Sequence, residues 1–311
     1  SKCWRRAIRS SLTSTRSGLL REFMRLAHFS DIHITLSPVR YGGLWSKRTA
    51  GALNYYVGGR RHHFANVEAR VAALLADVDA QGVDHAVCTG DITQMSYVEE
   101  FRRCAALFGP RLEQPQRFTV IPGNHDRYTS TEADLFEQFF GRLAEPDGRY
   151  PFRKDVGAVS FVGLDLARPT ALIDSSGLCG PAQLSALTEM LKALTAEDRK
   201  TIVLMHYGFF RADGRPDRPR HGIRDAKALL ALLDREDLRV DLILHGHIHR
   251  SYAVRTARRA VICAGSATDL ARGSCYHLYD LDAEGVWMTR RRWNEQAQAY
   301  ATDGEPVRVL Y

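Results

Sequence analysis

Cysteine is scarce and scattered, with six in 311 residues (Cys3, Cys88, Cys104, Cys179, Cys263 and Cys275) and no C-x-x-C pair. That excludes a disulfide scaffold and a zinc ribbon, and it fits the reduced thiols of a cytoplasmic protein. No uninterrupted apolar run reaches the roughly 18 residues that a membrane-spanning helix needs. The N-terminal stretch also lacks the apolar core of about 7–15 residues that marks a secretory signal. Internal repeats and low-complexity linkers are missing. At 45% hydrophobic and 25% charged, the composition excludes a disordered chain. Acid is what the first 25 residues lack: Lys2, Arg5, Arg6, Arg9, Arg16, Arg21 and Arg25 stand against Glu22 alone, a net of +6 out of the chain's +7. Residues 26–311 therefore carry only +1, which gives no sign of the basic face that a nucleic-acid partner would require.

Residues 1–23 read as a basic, disordered leader without a catalytic part, and residues 24–311 as a single domain. From Arg25 onward, short apolar runs alternate with helical patterns. Strands are predicted at Arg25–Ser30, Asp84–Thr89, Arg117–Ile121, Val156–Asp165, Thr201–Met205 and Val240–His245. Helices are predicted at Phe64–Gln81, 96–108, Thr131–Phe140, from Pro181 onward, and at 224–236. Residues Tyr252 to about Trp293 have β-rich alternation, either completing a sheet or packing on a partner, so a homodimer stays open. Strands alternating with helices, followed by a strand-rich tail, imply an α/β sandwich of packed sheets flanked by helices.

The polar chemistry sits where the strands stop. Ser30-Asp31-Ile32-His33, Thr89-Gly90-Asp91, Pro122-Gly123-Asn124-His125-Asp126, Met205-His206 and His245-Gly246-His247-Ile248-His249 each follow an apolar run directly. Ligands of open α/β sheets bind beyond the carboxyl ends of the strands. Carboxylate oxygen and imidazole nitrogen suit Mn, Fe, Zn and similar divalent ions. If Asp31-x-His33 and His247-x-His249 are extended, each pair points to one side and toward one ion. Singly, each motif reads equally as a strand-end pair, a turn or an N-cap. It is the ordered set that points to a metal site.

This set resembles the calcineurin-like metallophosphoesterases, whose pattern is D-x-H, G-D, G-N-H-[D/E], H and G-H-x-H. The resemblance spans about residues 25–270 and implies a four-layer α/β/β/α sandwich with two divalent ions (Mn, Fe or Zn). It implies that Asp31, His33 and His249 hold one ion, that Asn124, His206 and His247 hold the other, and that Asp91 bridges them. Such ion pairs, about 3.5–4 Å apart, clamp a phosphoryl group and lower the pKa of a bridging water, which attacks phosphorus in line. His125 then stabilises the transition state or protonates the leaving group. Asp126 is expected to orient its ring and favour the protonated form. His28, His245, His85 and His277 read as structural; His62, His63 and His221 fall in polar loops where they can meet substrate.

Two segments bear on substrate choice. Residues 36–63 carry Arg40, Lys47, Arg48, Arg60 and Arg61 with no acid, interleaved with Tyr41, Trp45, Tyr55 and Tyr56. They read as a cap meeting a second phosphate or an anionic head group, with peripheral contact to the inner membrane surface; the plainer alternative is a solvated loop. Arg211–Arg224, rich in Arg and Pro, is expected to rim the same cleft. Lys47, Arg48, Asn54, Arg60, Arg61, Tyr128 and Arg211 are the candidate substrate contacts. The leading expectation is a two-metal hydrolase of phosphodiester or pyrophosphate bonds in a small nucleotide-like or nucleotide-lipid substrate. Cyclic-nucleotide phosphodiesterases share the motif set. Ser46–Asn54 is similar to a stretch of the chlamydial UDP-2,3-diacylglucosamine pyrophosphatases of lipid A synthesis. Protein phosphatases of this family carry a fuller block after the bridging Asp, and here Gly90-Asp91-Ile92-Thr93-Gln94 lacks its Arg. A catalytically silent metal-binding scaffold is the alternative of a different class.

Overall fold

The computed structural model describes residues 23–36, 60–129, 134–144, 149–171, 174–255 and 258–310. Its apolar strands are buried on both faces, so successive residues feed two different cores. One sheet has the order β12-β11-β10-β1-β2-β3, with β13 also paired to β11. Here β1 is Met24–Phe29, β2 His85–Cys88, β3 Phe118–Val120, β10 Cys275–Asp282, β11 Gly285–Asn294, β12 Ala299–Thr302 and β13 Val307–Leu310. The second has the order β4-β5-β6-β7-β9-β8, formed by Phe152–Val156, Val159–Gly163, Lys200–Leu204, Leu242–His245, Ala260–Ala264 and Ser251–Arg255 in that order. The tail thus completes both sheets.

Three cores stack between these layers. Leu26, Val87, Phe161, Ile202, Leu204, Leu242 and Leu244 meet between the two sheets. On the outer face of the first sheet, Ala27 and Phe29 pack with Val71, Leu74, Phe101 and Phe140 from the helices Val67–Ala80, Val98–Phe108 and Leu135–Ala144. On the outer face of the second, Val203 and Ile243 pack with Leu187, Leu191 and Leu229 from the helices Gly180–Ala196 and Ala226–Leu233. The result is the expected α/β/β/α sandwich. Each fully buried Leu, Ile or Phe contributes about 1.5–3 kcal/mol of burial.

β1, β2 and β3 run parallel, as do β5, β6, β7 and β9. Their carboxyl ends therefore reach one edge of the sandwich, which is where the five motifs sit. The predicted strand Val156–Asp165 contains β5, and an unpredicted strand, β4, pairs antiparallel with it. Arg153, Lys154 and Asp155 on β4 hide its strand character, because an edge strand tolerates charge that a central one does not. The helix predicted from Thr131 starts at Leu135 among the described residues. Lys47, Arg48 and Asn54 lie outside the described residues, as does most of the leader. Arg60 and Arg61 begin a short helix, Arg60–His63.

Candidate metal centre

The loop after β1 carries Asp31 and His33, that after β2 Asp91, that after β3 Asn124, that after β6 His206, and that after β7 His247 and His249. Their donor atoms converge in two clusters. In one, His249 Nε2 lies 3.3 Å from Asp31 Oδ1 and 3.0 Å from His33 Nε2. In the other, His206 Nε2 lies 3.2 Å from both Asp91 Oδ2 and Asn124 Oδ1. Asp91 Oδ2 also stands 3.8 Å from His33 Nε2, which sets it between the clusters. Asp31, His33 and His249, and likewise Asp91, His206 and His247, place one donor atom each within 4.8 Å of one another.

The local backbone departs from the extended form on which the D-x-H argument rested. Asp31, His33, Asp91, His247 and His249 have φ of 55°, 46°, 54°, 70° and 57°. This left-handed region costs a non-glycine residue about 1–3 kcal/mol, and it clusters at functional sites where surrounding contacts hold it. Those contacts are present. Asp31 accepts the His247 N–H at 3.0 Å, and Asp91 Oδ1 accepts the His125 N–H at 2.8 Å. Ser266 Oγ donates to the Asp31 carbonyl at 2.7 Å. Glycine is required where the loops touch: a Cβ on Gly123 would sit 2.3 Å from Asp91 Oδ1, and one on Gly246 would sit 1.9 Å from Ser30 Oγ.

Carbonyl and carboxylate acceptors fix the imidazole tautomers. His206 Nδ1 donates to the Thr89 carbonyl at 2.7 Å, which leaves Nε2 to coordinate. His247 Nε2 donates to the His221 carbonyl at 2.8 Å, which leaves Nδ1. His249 Nδ1 donates to Asp269 Oδ2 at 3.0 Å, which leaves Nε2. This outer shell is the usual device for aiming imidazole lone pairs at a metal. With oxygen and nitrogen donors only and no thiolate, the residues fit hard to borderline divalent ions. Burial opposes charge on His206, but Asp91 and then Asp31 outweigh it and push the ring up to about 9. Burial likewise opposes charge on His249, yet Asp31 and Asp269 push it up to about 9. Burial also disfavours the charged form of Asp91, but His206, His125 and His33 hold its carboxyl well below the usual range. Burial, reinforced by His221 and His206, keeps His247 neutral.

His125 stands over this cluster, its ring edge-on to His33 at 4.8 Å and stacked on Tyr128 at 5.4 Å. Its Nδ1 donates to the Gln94 carbonyl at 2.6 Å, so Nε2 carries the lone pair of the neutral ring. Asp126 does not orient that ring, contrary to expectation. It is fully buried, and its carboxylate accepts from the backbone N–H groups of Gly123 at 2.9 Å, Thr93 at 2.9 Å and Ile92 at 3.2 Å, and from Thr93 Oγ1 at 3.0 Å. Neighbours in sequence, the two side chains part at a turn, and Asp126 ties the loop after β2 to the loop after β3. Burial, followed by the nearby Asp91, pushes its carboxyl up to about 7.

Of the remaining candidates, His221 reaches the site, its ring 4.0 Å from that of His247, and His63 lies 3.8 Å from Asp269. Arg211 lines a cleft next to His221. His28, His85, His245 and His277 are buried. Asp269 carried no motif; its one sequence signal is an acid opening a helical turn, and it caps Leu270–Arg272.

Side chains from both sheets thus form two neighbouring groups of oxygen and nitrogen donors, each able to hold a metal ion, beneath a histidine. The calcineurin-like phosphoesterase family profile matches residues 24–251, and the chain belongs to that family. It is 26% identical over 276 residues to a probable cyclic nucleotide phosphodiesterase of Pseudoalteromonas sp. (strain SM9913), covering 84% of this chain and 89% of that protein. Its fold is similar to that of a dimetal phosphatase from Danio rerio (TM-score 0.65, 13% identity, 93% of this chain and 99% of that one). It is also similar to a purple acid phosphatase from yellow lupin (TM-score 0.55, 14% identity, 88% of this chain and 52% of that one). The chain is a metal-dependent phosphoesterase, and its family implies a binuclear site for divalent ions. Among the described residues, no helix is long and apolar enough to cross a membrane.

Proposed function

We propose that the chain hydrolyses a phosphodiester or pyrophosphate bond in a small, nucleotide-like substrate, with Asp31, His33 and His249 holding one ion, Asn124, His206 and His247 a second, and Asp91 both. The observation that carries this reading is the place of Asp91, whose one carboxylate oxygen faces His206 at 3.2 Å and His33 at 3.8 Å. When bound, two such ions supply Lewis acidity at phosphorus and an acidified water. Mn, Fe and Zn all suit these donors. The chain's own residues position and transfer protons. His125, held at Nδ1 by Gln94 and braced by Tyr128, presents Nε2 to the leaving oxygen, where the protonated ring stabilises developing charge or delivers its Nε2 proton. Asp126 keeps the loops bearing Asp91 and Asn124 in register.

A second reading, cyclic-nucleotide hydrolysis, is favoured by the Pseudoalteromonas relative. The scaffold alternative sits poorly with seven complete ligand positions beneath His125. The test is Mn²⁺-supplemented hydrolysis of bis(p-nitrophenyl) phosphate with metal content measured in parallel. Wild type should turn over and Asp91→Ala should lose bound metal and at least about 10³-fold of the rate, as expected when a group central to transition-state charge is removed. An Asp91→Ala protein that keeps both ions and its rate would overturn the assignment. Wild-type preference for 3′,5′-cyclic AMP over diphosphate substrates would select the second reading.

A further inference from the structure

A cavity of about 460 Å³ adjoins the cluster that contains His247. Arg211, Arg218, His221, Ile248, Arg250 and Arg272 are among the residues that line it. Ile248 is the residue between His247 and His249, and the His221 ring packs on His247 at 4.0 Å, so the cavity opens beside the proposed second ion. Two carboxylates also line it, and both are engaged. Asp213 pairs with Arg211 at 3.6 Å and accepts the Arg215 N–H at 3.0 Å. Asp217 accepts from His221 Nδ1 at 2.7 Å and from the Arg218 N–H at 2.8 Å.

Among the described residues, the guanidinium groups of Arg218, Arg250 and Arg272 have no hydrogen-bond or ion-pair partner, and Arg211 Nε is buried without one. Arg127, by contrast, is matched with Glu137 and Asp165, and Arg291 with Asp77. Cations gathered unpaired around one concavity repel one another and raise the local concentration of anions. The planar guanidinium fork suits phosphate oxygens in particular.

We infer that this cleft is a subsite for a second phosphate, so that the preferred substrate is a diphosphate cleaved between its phosphorus atoms rather than a singly charged diester. The inference rests on the proposed phosphohydrolase reading. The group attacked occupies the ion pair, and its neighbouring phosphate falls toward His221 and the arginines. A cyclic nucleotide has one phosphate and would leave the cleft without an anion.

Calorimetric titration of Mn²⁺-loaded protein with methylenediphosphonate and with methylphosphonate, in the presence of excess Mn²⁺, tests this. Arg250→Ala combined with Arg272→Ala should weaken the diphosphonate at least about tenfold more than the monophosphonate, and the double Lys variant should recover part of the loss. Both side chains are exposed, so the fold should survive; an unchanged melting temperature checks this. Equal weakening of the two ligands, or of neither, overturns the subsite. The two readings fail separately. Arginine-dependent diphosphonate binding without any bis(p-nitrophenyl) phosphate hydrolysis keeps the subsite and retires the catalytic reading. Hydrolysis without arginine-dependent selectivity does the reverse.

Discussion

Replacing Asp126 by Asn separates two roles for this residue. Its carboxylate takes two donors on each side: the Gly123 and Ile92 N–H groups on Oδ2, and the Thr93 N–H and hydroxyl on Oδ1. An amide accepts on one side only. In its better orientation it leaves the Thr93 N–H facing an NH₂ group, while the hydroxyl can turn to accept. One orphaned buried donor costs about 1–3 kcal/mol. At about 2–4 °C per kcal/mol for a chain of this size, the melting temperature should fall by about 2–12 °C. Asp126→Ala orphans three backbone donors and should cost two to three times as much. Differential scanning calorimetry of metal-loaded protein measures the fall. The acid limb of the kcat profile should keep its position in Asp126→Asn, because His125 leans on the Gln94 carbonyl. A melting temperature within about 1 °C of wild type, together with a displaced acid limb, would refute this and restore Asp126 as the ring's partner.

Asp269→Ala should weaken metal binding by about 10–100-fold, as loss of the carboxylate behind a ligating imidazole generally does; competition with a chromophoric chelator reads this directly, and unchanged affinity would remove Asp269 from the site. The buried histidines predict acid sensitivity. Burial, with the nearby His277 and His245 disfavouring a further charge, pushes His28 well below its usual value; burial lowers His85 and His277 to about 3 and His245 to about 4. Below pH about 6.5 the unfolded chain protonates these four rings and His247, which the metal-free fold also keeps neutral, and the folded chain does not, so unfolding takes up protons and stability falls as the pH falls. Asp126 works the other way, being protonated when folded near pH 5 and ionised when unfolded. A net uptake of about four protons amounts to about 5 kcal/mol per pH unit around pH 5. Urea unfolding of metal-free protein at two pH values in that range gives the slope, and a flat profile would mean that the rings are not held neutral.

The layers and the convergence of the seven candidate ligands could be read from the sequence because each motif follows a buried strand, and parallel strands end on one edge. What escaped was set by backbone direction. Asp126 was misassigned because adjacency in sequence says nothing of where two side chains point across a turn. Asp31 and His33 converge through left-handed backbone, which no alternation rule anticipates. β4 stayed hidden because Arg153, Lys154 and Asp155 mask an edge strand. Asp269 and the Arg250–Arg272 pair are 20 and 22 positions removed from His249 and from each other; only the return of β9 alongside β8 and β7 brings them to the site.

The division of the centre between the two sheets has a mechanical consequence. Asp31, His33, Asp91 and Asn124 hang from the first sheet, and His206, His247 and His249 from the second. In the proposed assignment each ion draws on both, so the ions act as rivets through one edge of the sandwich. Loosening a ligand then slackens the seam as well as the chemistry. Selection for activity and selection for a closed sandwich fall on the same seven residues, and neither can drift without the other.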